Sequence, residues 1–407
     1  MLDSQTQETL TRIGPGTPMG RLMRHYWLPV LASCDLGSGS ARAVTVLCEK
    51  LVVFRDTKGA LGVLEERCPH RGASLAYGCV EAEGIRCAYH GWKFDGKGRC
   101  MELPPEPADS PIRGKVLTTA YAIQELAGLI FIYLGPEPTP LLPKYDVFAW
   151  KGVVRDIGYA VLPCNWLQIM ENSVDPAHVE WLHGHQLAHT RGQQGLSTPS
   201  YYRKKQVKMG FDLFDYGIIK RRLFEGGSEQ DDDWAIGHPL IFPNMVRVGA
   251  HNQHRLQIRV PVDDVHTLHF WYSCYVPRPG EEVPQDVIPS YPVPWKDEQG
   301  GFLIDFVDGQ DIMCWVTQGP IADRTRETLG TSDRGIALYR RLLLEQLAKV
   351  EKGEDPMGVI RDPKKNVVIE LPQEKEKFGQ GKSFLAESLE MSHVRHSPIK
   401  ELIKRIL

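Results

Sequence analysis

The sequence predicts an α+β chain of 407 residues in two parts. A small all-β domain occupies residues 25–140, and a larger domain over 141–407 combines an antiparallel sheet with helices. Three observations lead there. Short β-rich runs bounded by turn residues crowd the first third of the chain. A Pro-rich stretch, Gly135-Pro136-Glu137-Pro138-Thr139-Pro140 through Pro143, closes that region as a semi-rigid boundary. Beyond it, a run of strands lies between helical segments, the pattern of an α+β domain.

Taken in order, residues 1–24 are expected to form a terminal segment packing on the larger domain. In the small domain, Val44–Leu47, Leu51–Phe54 and Leu129–Tyr133 read as strands, and Asp95-Gly96-Lys97-Gly98 as a hairpin turn. In the larger domain a helix surrounds residues 164–182. Strands at 245–248, 256–260 and 269–272 follow, then a Pro-rich loop at 277–296. Leu338, Leu342, Leu343 and Leu347 recur at helical spacing within an amphipathic helix over 336–350. The acidic run Glu229–Asp233 reads as a solvated loop, and the Lys/Glu-rich stretch 373–382 as a surface arm.

A net charge of −3 with 42% hydrophobic residues argues against nucleic acid or an anionic membrane as partner. No apolar run reaches membrane-spanning length, and Met1-Leu2-Asp3 does not open a signal peptide. Seven of the nine cysteines (Cys34, Cys48, Cys79, Cys100, Cys164, Cys274, Cys314) show no disulfide spacing and read mostly as buried thiols, as in a reducing cytoplasm.

The other two cysteines carry chemistry. Cys68-Pro69-His70 and Cys87-Ala88-Tyr89-His90 each supply one thiolate and one imidazole, with a glycine directly or one residue behind the histidine. Two Cys and two His suit a [2Fe–2S] cluster in which His replaces Cys on one iron, which raises its potential. A structural zinc site uses the same donors, but it usually pairs Cys with Cys and His with His. A second set begins at Asp175-Pro176-Ala177-His178, with His183 five residues on. Two imidazoles and a carboxylate form a facial triad that binds Fe(II) and leaves positions open for O2. A spacing of five does not align two side chains on an α-helix. A helix end or a π-bulge is therefore needed, and Gly184 offers a helix stop. Asp305, Asp308 and Asp311 are the candidates for the carboxylate.

These motifs resemble those of the large oxygenase subunits of Rieske non-haem iron oxygenases, most of all the phthalate dioxygenase type. The opening Gly14-Pro15-Gly16-Thr17-Pro18-Met19-Gly20 with Tyr26-Trp27, and the Gln310-Asp311 to Asp323-Arg324 segment, belong to the same resemblance. It implies a Rieske domain joined to a helix-grip catalytic domain whose sheet is covered by helices. Cys68, His70, Cys87 and His90 would hold the cluster, and His178, His183 and Asp311 the mononuclear iron. Asp175 would bridge His178 to a cluster histidine of a neighbouring subunit, and Asn172 would lie near the iron. The implied partners are O2, a small aromatic substrate, a separate NADH-dependent reductase of flavin and ferredoxin type, and further copies in a homotrimer or stacked trimers.

The resemblance implies dioxygenation of an aromatic carboxylate. Monooxygenation, such as aryl-ether O-demethylation, would use the same iron. A Rieske electron carrier or a zinc-stabilised binding protein would need no triad. Arg222, Arg247 and Arg259, on expected strands, are candidates to pair with a substrate carboxylate. Phe211, Phe214, Phe242, Trp271 and Trp315 could line a pocket or fill the core.

Overall fold

A computed structural model describes residues 1–379 and 388–407. Two compact units emerge: Ile13–Leu142, and Met1–Arg12 together with Pro143–Leu407.

The smaller unit contains ten strands: β1 (Leu28–Ala32), β2 (Ser40–Val46), β3 (Glu49–Arg55), β4 (Leu61–Glu65), β5 (Cys79–Glu81), β6 (Gly84–Arg86), β7 (Lys93–Phe94), β8 (Cys100–Glu102), β9 (Ala122–Leu126) and β10 (Leu129–Tyr133). They form three antiparallel sheets, ordered β1-β10-β9, β2-β3-β4 and β5-β6-β7-β8. The turn between β7 and β8 is held by Asp95, whose carboxylate accepts from the Lys97 and Arg99 amides. The helix Pro18–Arg24 lies in this unit, whereas the expected division put everything before residue 25 with the larger one. The reason is packing. Met19, Leu22 and Met23 are buried, and Arg24 pairs with Glu49 of β3, which also accepts from the Tyr121 hydroxyl.

The larger unit holds β11 (Val154–Leu162), β12 (Gln206–Phe214), β13 (Gly217–Phe224), β14 (His238–Ile241), β15 (Met245–Ala250), β16 (Gln253–Asp263), β17 (His266–Tyr275) and β18 (Ser290–Pro292). Their order is β12-β13-β14-β15-β16-β17-β11-β18. All neighbours are antiparallel except β18, which runs parallel to β11. β18 falls in the stretch read as loop; its one proline, Pro292, is tolerated because it is an edge strand. The helix Trp166–Ser173 starts at Asn165, whose side chain accepts from the Leu167 amide, and contacts β16. The helix Arg334–Glu351 buries Tyr339, Leu342, Leu343 and Leu347 and contacts that helix in turn. Between them lies a buried ion network. Glu171 accepts from Arg324 at 2.9 and 2.7 Å and from Arg340 at 2.7 Å.

Two segments read as solvent-facing are so only in part: Glu229–Asp231, Lys375 and Glu376 are exposed, but others turn inward. Asp233, in the acidic run, is buried and accepts from Arg222 at 2.6 Å and from the Phe378 amide at 2.7 Å. In the Lys/Glu-rich stretch, Glu374, Lys377 and Phe378 are buried. Each segment neutralises charge carried by the other or by β13, which composition alone does not reveal. Residues 380–382 of that stretch lie outside the described residues.

Candidate metal centres and substrate cavity

In the smaller unit, two turns of similar construction present the cysteine–histidine motifs. The Gly72 amide donates to the Cys68 carbonyl at 2.8 Å, and the Gly91 amide to the Cys87 carbonyl at 3.0 Å. Both glycines have φ near +74°, at 74° and 73°, where a side chain is strained. Each turn thus closes behind its cysteine and folds its histidine back beside it. Cys68 and Cys87 are buried. The His70 and His90 rings meet at 4.5 Å, and His70 stacks on Trp92 at 4.3 Å. Burial, with the neighbouring Cys87 thiol, pushes the Cys68 thiol up to about 11 despite a hydrogen bond from the His70 backbone. Only a strong positive charge, such as a cluster iron, would hold it as thiolate at neutral pH. His90 Nδ1 is buried and has no hydrogen-bond partner among the described residues. Two thiols, two imidazoles and an orphaned ring nitrogen at one loop pair fit a Rieske cluster.

In the larger unit, the chain leaves the Trp166–Ser173 helix at Val174 and turns through Asp175-Pro176. It then enters a π-helix, Val179–Gln186, that continues as an α-helix to Gln193. Hydrogen bonding of i→i+5 type brings residue i+5 back over residue i. His183 is thereby returned beside His178, with rings 5.2 Å apart. Gly184 does not stop the helix, as its position suggested. It sits inside the π-helix, where a Cβ would meet the Tyr202 carbonyl oxygen at 2.6 Å.

The third donor comes from the helix Val307–Thr317. Asp311 Oδ1 lies 3.3 Å from His183 Nε2 and 3.8 Å from His178 Nε2. It has no hydrogen-bond donor among the described residues. These three residues form a group able to hold one metal ion. The two other aspartates are otherwise engaged. Asp308 accepts from Trp271 Nε1 and from the His393 amide, each at 2.7 Å. Asp305 binds Arg395 through two contacts of 2.9 Å. Burial disfavours the His183 cation, but Asp311 and then Gln310 outweigh it and raise the His183 pKa. A metal dication would take that proton's place.

Neighbours orient the imidazoles. His183 Nδ1 donates to Gln310 Oε1 at 3.2 Å. His178 Nδ1 lies 3.4 Å from Asp175 Oδ2, and Asp175 Oδ1 accepts from the Ala177 amide at 2.7 Å. Burial raises the Asp175 pKa, but His178 outweighs it, and the carboxyl ends below its usual range. A groove on this side includes Asn172, Asp175, His178, Trp181 and His185; Trp181 is 68% exposed.

His178, His183 and Asp311 also line an inner cavity, which Asn172 borders too. Its sheet wall carries Lys220 and Arg222 of β13, His238 of β14, Val246 and Val248 of β15, and Arg255, Gln257 and Arg259 of β16. The three expected arginines fare differently. Arg222 is neutralised by Asp233 and by Glu374 at 3.3 Å. Arg247 is not among the lining residues; it is held by Gln373, by Asp146 at 3.3 Å and by His254. Arg259 lines the cavity and donates to Gln257 Oε1 at 2.6 Å. Burial lowers the Arg259 pKa to about 9 despite Asp311. Phe242, Trp271 and Trp315 are buried core; the aromatic lining is Tyr202 and Phe378.

Comparison with known proteins places these features in a family. The Rieske [2Fe-2S] domain family matches residues 26–122, and the LigXa C-terminal domain like family matches 132–282 and 298–370. The 5,5'-dehydrodivanillate O-demethylase oxygenase subunit of Sphingobium sp. (strain NBRC 103272 / SYK-6) is 42% identical over 376 residues, 91% of this chain and 87% of that protein.

The chain belongs to the Rieske non-haem iron oxygenases.

The phthalate 4,5-dioxygenase oxygenase subunit of Pseudomonas putida is 33% identical to this oxygenase over 396 residues, 88% of this chain and 89% of that one. The terminal oxygenase of carbazole 1,9a-dioxygenase from Nocardioides aromaticivorans IC177 shares the fold, with TM-score 0.61 and 20% identity over 84% of this chain and 97% of that one. As a Rieske oxygenase the chain uses a [2Fe–2S] cluster and a mononuclear iron. No helix among its described residues is long and apolar enough to cross a membrane.

Sequence reading placed Lys220 on a strand of the catalytic sheet but weighed only arginines as anchors; Lys220, Arg255 and Lys377 also line the cavity of this oxygenase. A signal existed for the first. On β13 the side chains of Lys220, Arg222 and Phe224 share one face by their period of two, so two cations ride on the buried face of an internal strand.

Proposed function

We propose that this oxygenase O-demethylates a methoxylated aromatic carboxylate. The observation that carries the reading is the 42% identity, over nearly the whole of both chains, to an O-demethylase oxygenase subunit. The cationic sheet wall facing His178, His183 and Asp311 supports the carboxylate. In this reading Cys68, His70, Cys87 and His90 hold the cluster, and the two histidines with Asp311 hold Fe(II). The metals supply one-electron transfer and O2 activation. The balanced reaction takes ArOCH3, O2, two electrons and two protons to ArOH, formaldehyde and water.

The protein's own groups do the positioning. Asp175 fixes the His178 ring and is the carboxylate that would receive a cluster histidine N–H from a neighbouring subunit at the exposed groove. That arrangement requires a ring, a trimer or stacked trimers, and electrons from NADH through a separate reductase. Asn172, on both the groove and the cavity, would position substrate near the iron. The buried lining keeps bulk water from the reacting methyl group.

The test is turnover of vanillate-like acids by the holoenzyme with a reductase and NADH. Formaldehyde and demethylated phenol should appear in equal amounts. A second reading, dioxygenation of an aromatic carboxylate, is favoured by the 33% identity to a phthalate dioxygenase. It predicts a dihydroxylated product with the methoxyl group retained and no formaldehyde.

A further inference from the structure

O-demethylation and ring dioxygenation both consume protons together with O2, and the cavity beside the triad has a buried lining. Asp308, on the cavity wall and three residues before Asp311, begins a line of buried polar groups that leads away from it. Its Oδ2 lies 3.4 Å from His393 Nδ1. His393 Nε2 lies 3.1 Å from Ser273 Oγ, and Ser273 is hydrogen-bonded in turn to Asp156. Asp156 accepts from the Ser397 hydroxyl at 2.5 Å and from Tyr291 Oη at 3.4 Å. Tyr291 lines a surface groove with Trp295, Lys296 and His396. Asp156, Ser273 and His393 are fully buried, so the line joins the groove to the cavity through the protein interior.

The sheet builds this line. Asp156 of β11 and Ser273 of β17 are register partners, and Ser273 pairs on its other side with Arg255 of β16. Residues directly opposite share a face, so the three side chains form one row across adjacent strands. Gly158 lies on the same face of β11 as Asp156, and its missing side chain leaves space. A Cβ there would meet Val293 at 2.9 Å and the His393 ring at 3.3 Å. Trp271 stacks on His393 at 5.4 Å and donates to Asp308 Oδ1 at 2.7 Å, which fixes the inner end. The charged and titratable groups facing His393 are Arg255, Asp308 and His396, and Arg255 also faces Asp156. Burial, then Arg255, lowers His393 to about 4, so its ring is neutral and one nitrogen can accept while the other donates. Burial raises Asp156 to about 6, so it exchanges a proton close to neutral pH.

We infer that Asp156, Ser273, His393 and Asp308 form a relay that carries a proton from the groove at Tyr291 to the cavity wall beside Asp311. In the loaded relay every donor faces inward. The Asp156 carboxyl O–H donates to Ser273 Oγ, the Ser273 O–H to His393 Nε2, and His393 Nδ1–H to Asp308. In one passage each of these three bonds to hydrogen breaks and a new one forms on its acceptor. Asp308 receives the proton and presents it to the cavity. Asp156 is left as carboxylate and is reloaded from groove water through the Ser397 or Tyr291 hydroxyl. The His393 tautomer resets between turnovers, so the relay supplies one proton for each O2 consumed. The inference rests on the oxygenase reaction of the family and holds for either substrate reading.

Two measurements test it. In the first, infrared difference titration of the anaerobic holoenzyme should show a carboxyl band that disappears near pH 6 and is absent from Asp156→Asn. Ser273→Ala should shift that band, and a band it leaves untouched would break the chain at its second link. In the second, chemically reduced holoenzyme is mixed with O2 in the presence of vanillate, phthalate or neither, and reoxidation of the cluster is followed by absorbance. Ser273→Ala and His393→Gln should slow it about tenfold or more, the lower range of what a positioned proton donor contributes. Their residual rates should fall again in D2O. Tyr275→Phe is the comparison, because the Tyr275 hydroxyl also donates to Asp156, at 3.2 Å, but is fully buried and off the line to the groove. It should stay within about twofold of wild type. Ser273→Ala removes a single oxygen, so it carries the test even if His393→Gln does not fold. A wild-type rate in Ser273→Ala would overturn the relay and put the proton source in the cavity wall. Equal losses in Ser273→Ala and Tyr275→Phe would reduce these groups to a structural role. The product, formaldehyde with a phenol or a dihydroxylated ring, decides the reading of function separately, since the comparison of rates is the same for both.

Discussion

The two candidate metal centres draw on different distances along the chain. Cys68, His70, Cys87 and His90 sit on two short turns, each closed locally by a glycine amide on a cysteine carbonyl. His183 comes from a π-helix that His178 caps, and Asp311 from a helix more than a hundred residues on. The turns need little beyond their own sequence. The triad exists only once the larger unit has packed, because Glu171, Arg324 and Arg340 fix the preceding helix and Gln310 fixes His183. Local construction makes a site that survives damage elsewhere; distributed construction makes one that reports it.

The largest effect should come from removing a donor. Asp311→Ala should cut turnover below about one-hundredth, since loss of an outer-shell partner alone costs 10–100-fold. The visible spectrum of the cluster should be unchanged. Cys87→Ser should do the reverse, losing cluster absorbance and labile sulfide while iron remains at the triad. If either variant strips both metals, the two regions are not independent.

Next comes the network behind the triad. Glu171→Gln leaves two buried guanidinium groups short of a partner and should cost about 3–5 kcal/mol in the larger unit. Denaturant titration followed by tryptophan fluorescence would show it, with the cluster spectrum persisting past the first transition. A loss below 1 kcal/mol would mean the helix is held by apolar packing instead.

Acid should also weaken the larger unit. Burial, then Arg247, lowers His254 to about 4, and burial, then Arg255, lowers His393 to about 4. The unfolded chain takes up these protons first. The stability they contribute is therefore present above pH 6.5 and lost as pH falls toward 4, about 3 kcal/mol each. Asp156 opposes them. Burial raises it to about 6 against its hydrogen bonds from Ser397 and Tyr275, so it adds about 3 kcal/mol below pH 3.8 that is lost as pH rises to 6. These three groups together give a net loss of about 3 kcal/mol on acidification from pH 7 to 4, and His396, which burial and then Arg395 also lower to about 4, acts in the same direction. Denaturation midpoints across that range would measure it, and His254→Gln should make the loss smaller by about 3 kcal/mol.

The smallest effect tests the turns. Gly91→Ala places a side chain at φ 73° with Pro104 Cγ 3.2 Å from the new Cβ. It should cost about 1–2 kcal/mol in the smaller unit and slow cluster assembly, with triad iron retained. Iron and sulfide analysis of the freshly purified variant distinguishes the two.

The same contrast explains what the sequence disclosed. The cluster motifs were legible because ligand, spacer and glycine are contiguous. The His178–His183 spacing was legible as a departure from α geometry, and the π-helix is that departure. Gly184 was misread as a stop because its reason for being small, the Tyr202 carbonyl, comes from a distant segment. Asp311 needed the resemblance, since Asp305, Asp308 and Asp311 are alike until Arg395, Trp271 and His393 claim the first two. The cavity charges were least legible. Asp233 and Glu374 look like solvated acids in their own segments, and only folding sets them against Arg222.

One measurement tests the central claim, that this oxygenase uses its two metal centres for oxidative demethylation of an aromatic acid. The holoenzyme is reduced chemically, mixed with a methoxylated aromatic carboxylate and 18O2, and quenched after a single turnover. Phenol and formaldehyde should form one to one, with the phenol oxygen unlabelled because the O–CH3 bond is the one that breaks. A product with 18O on the ring carbons and its methoxyl group intact would contradict demethylation and establish ring dioxygenation instead.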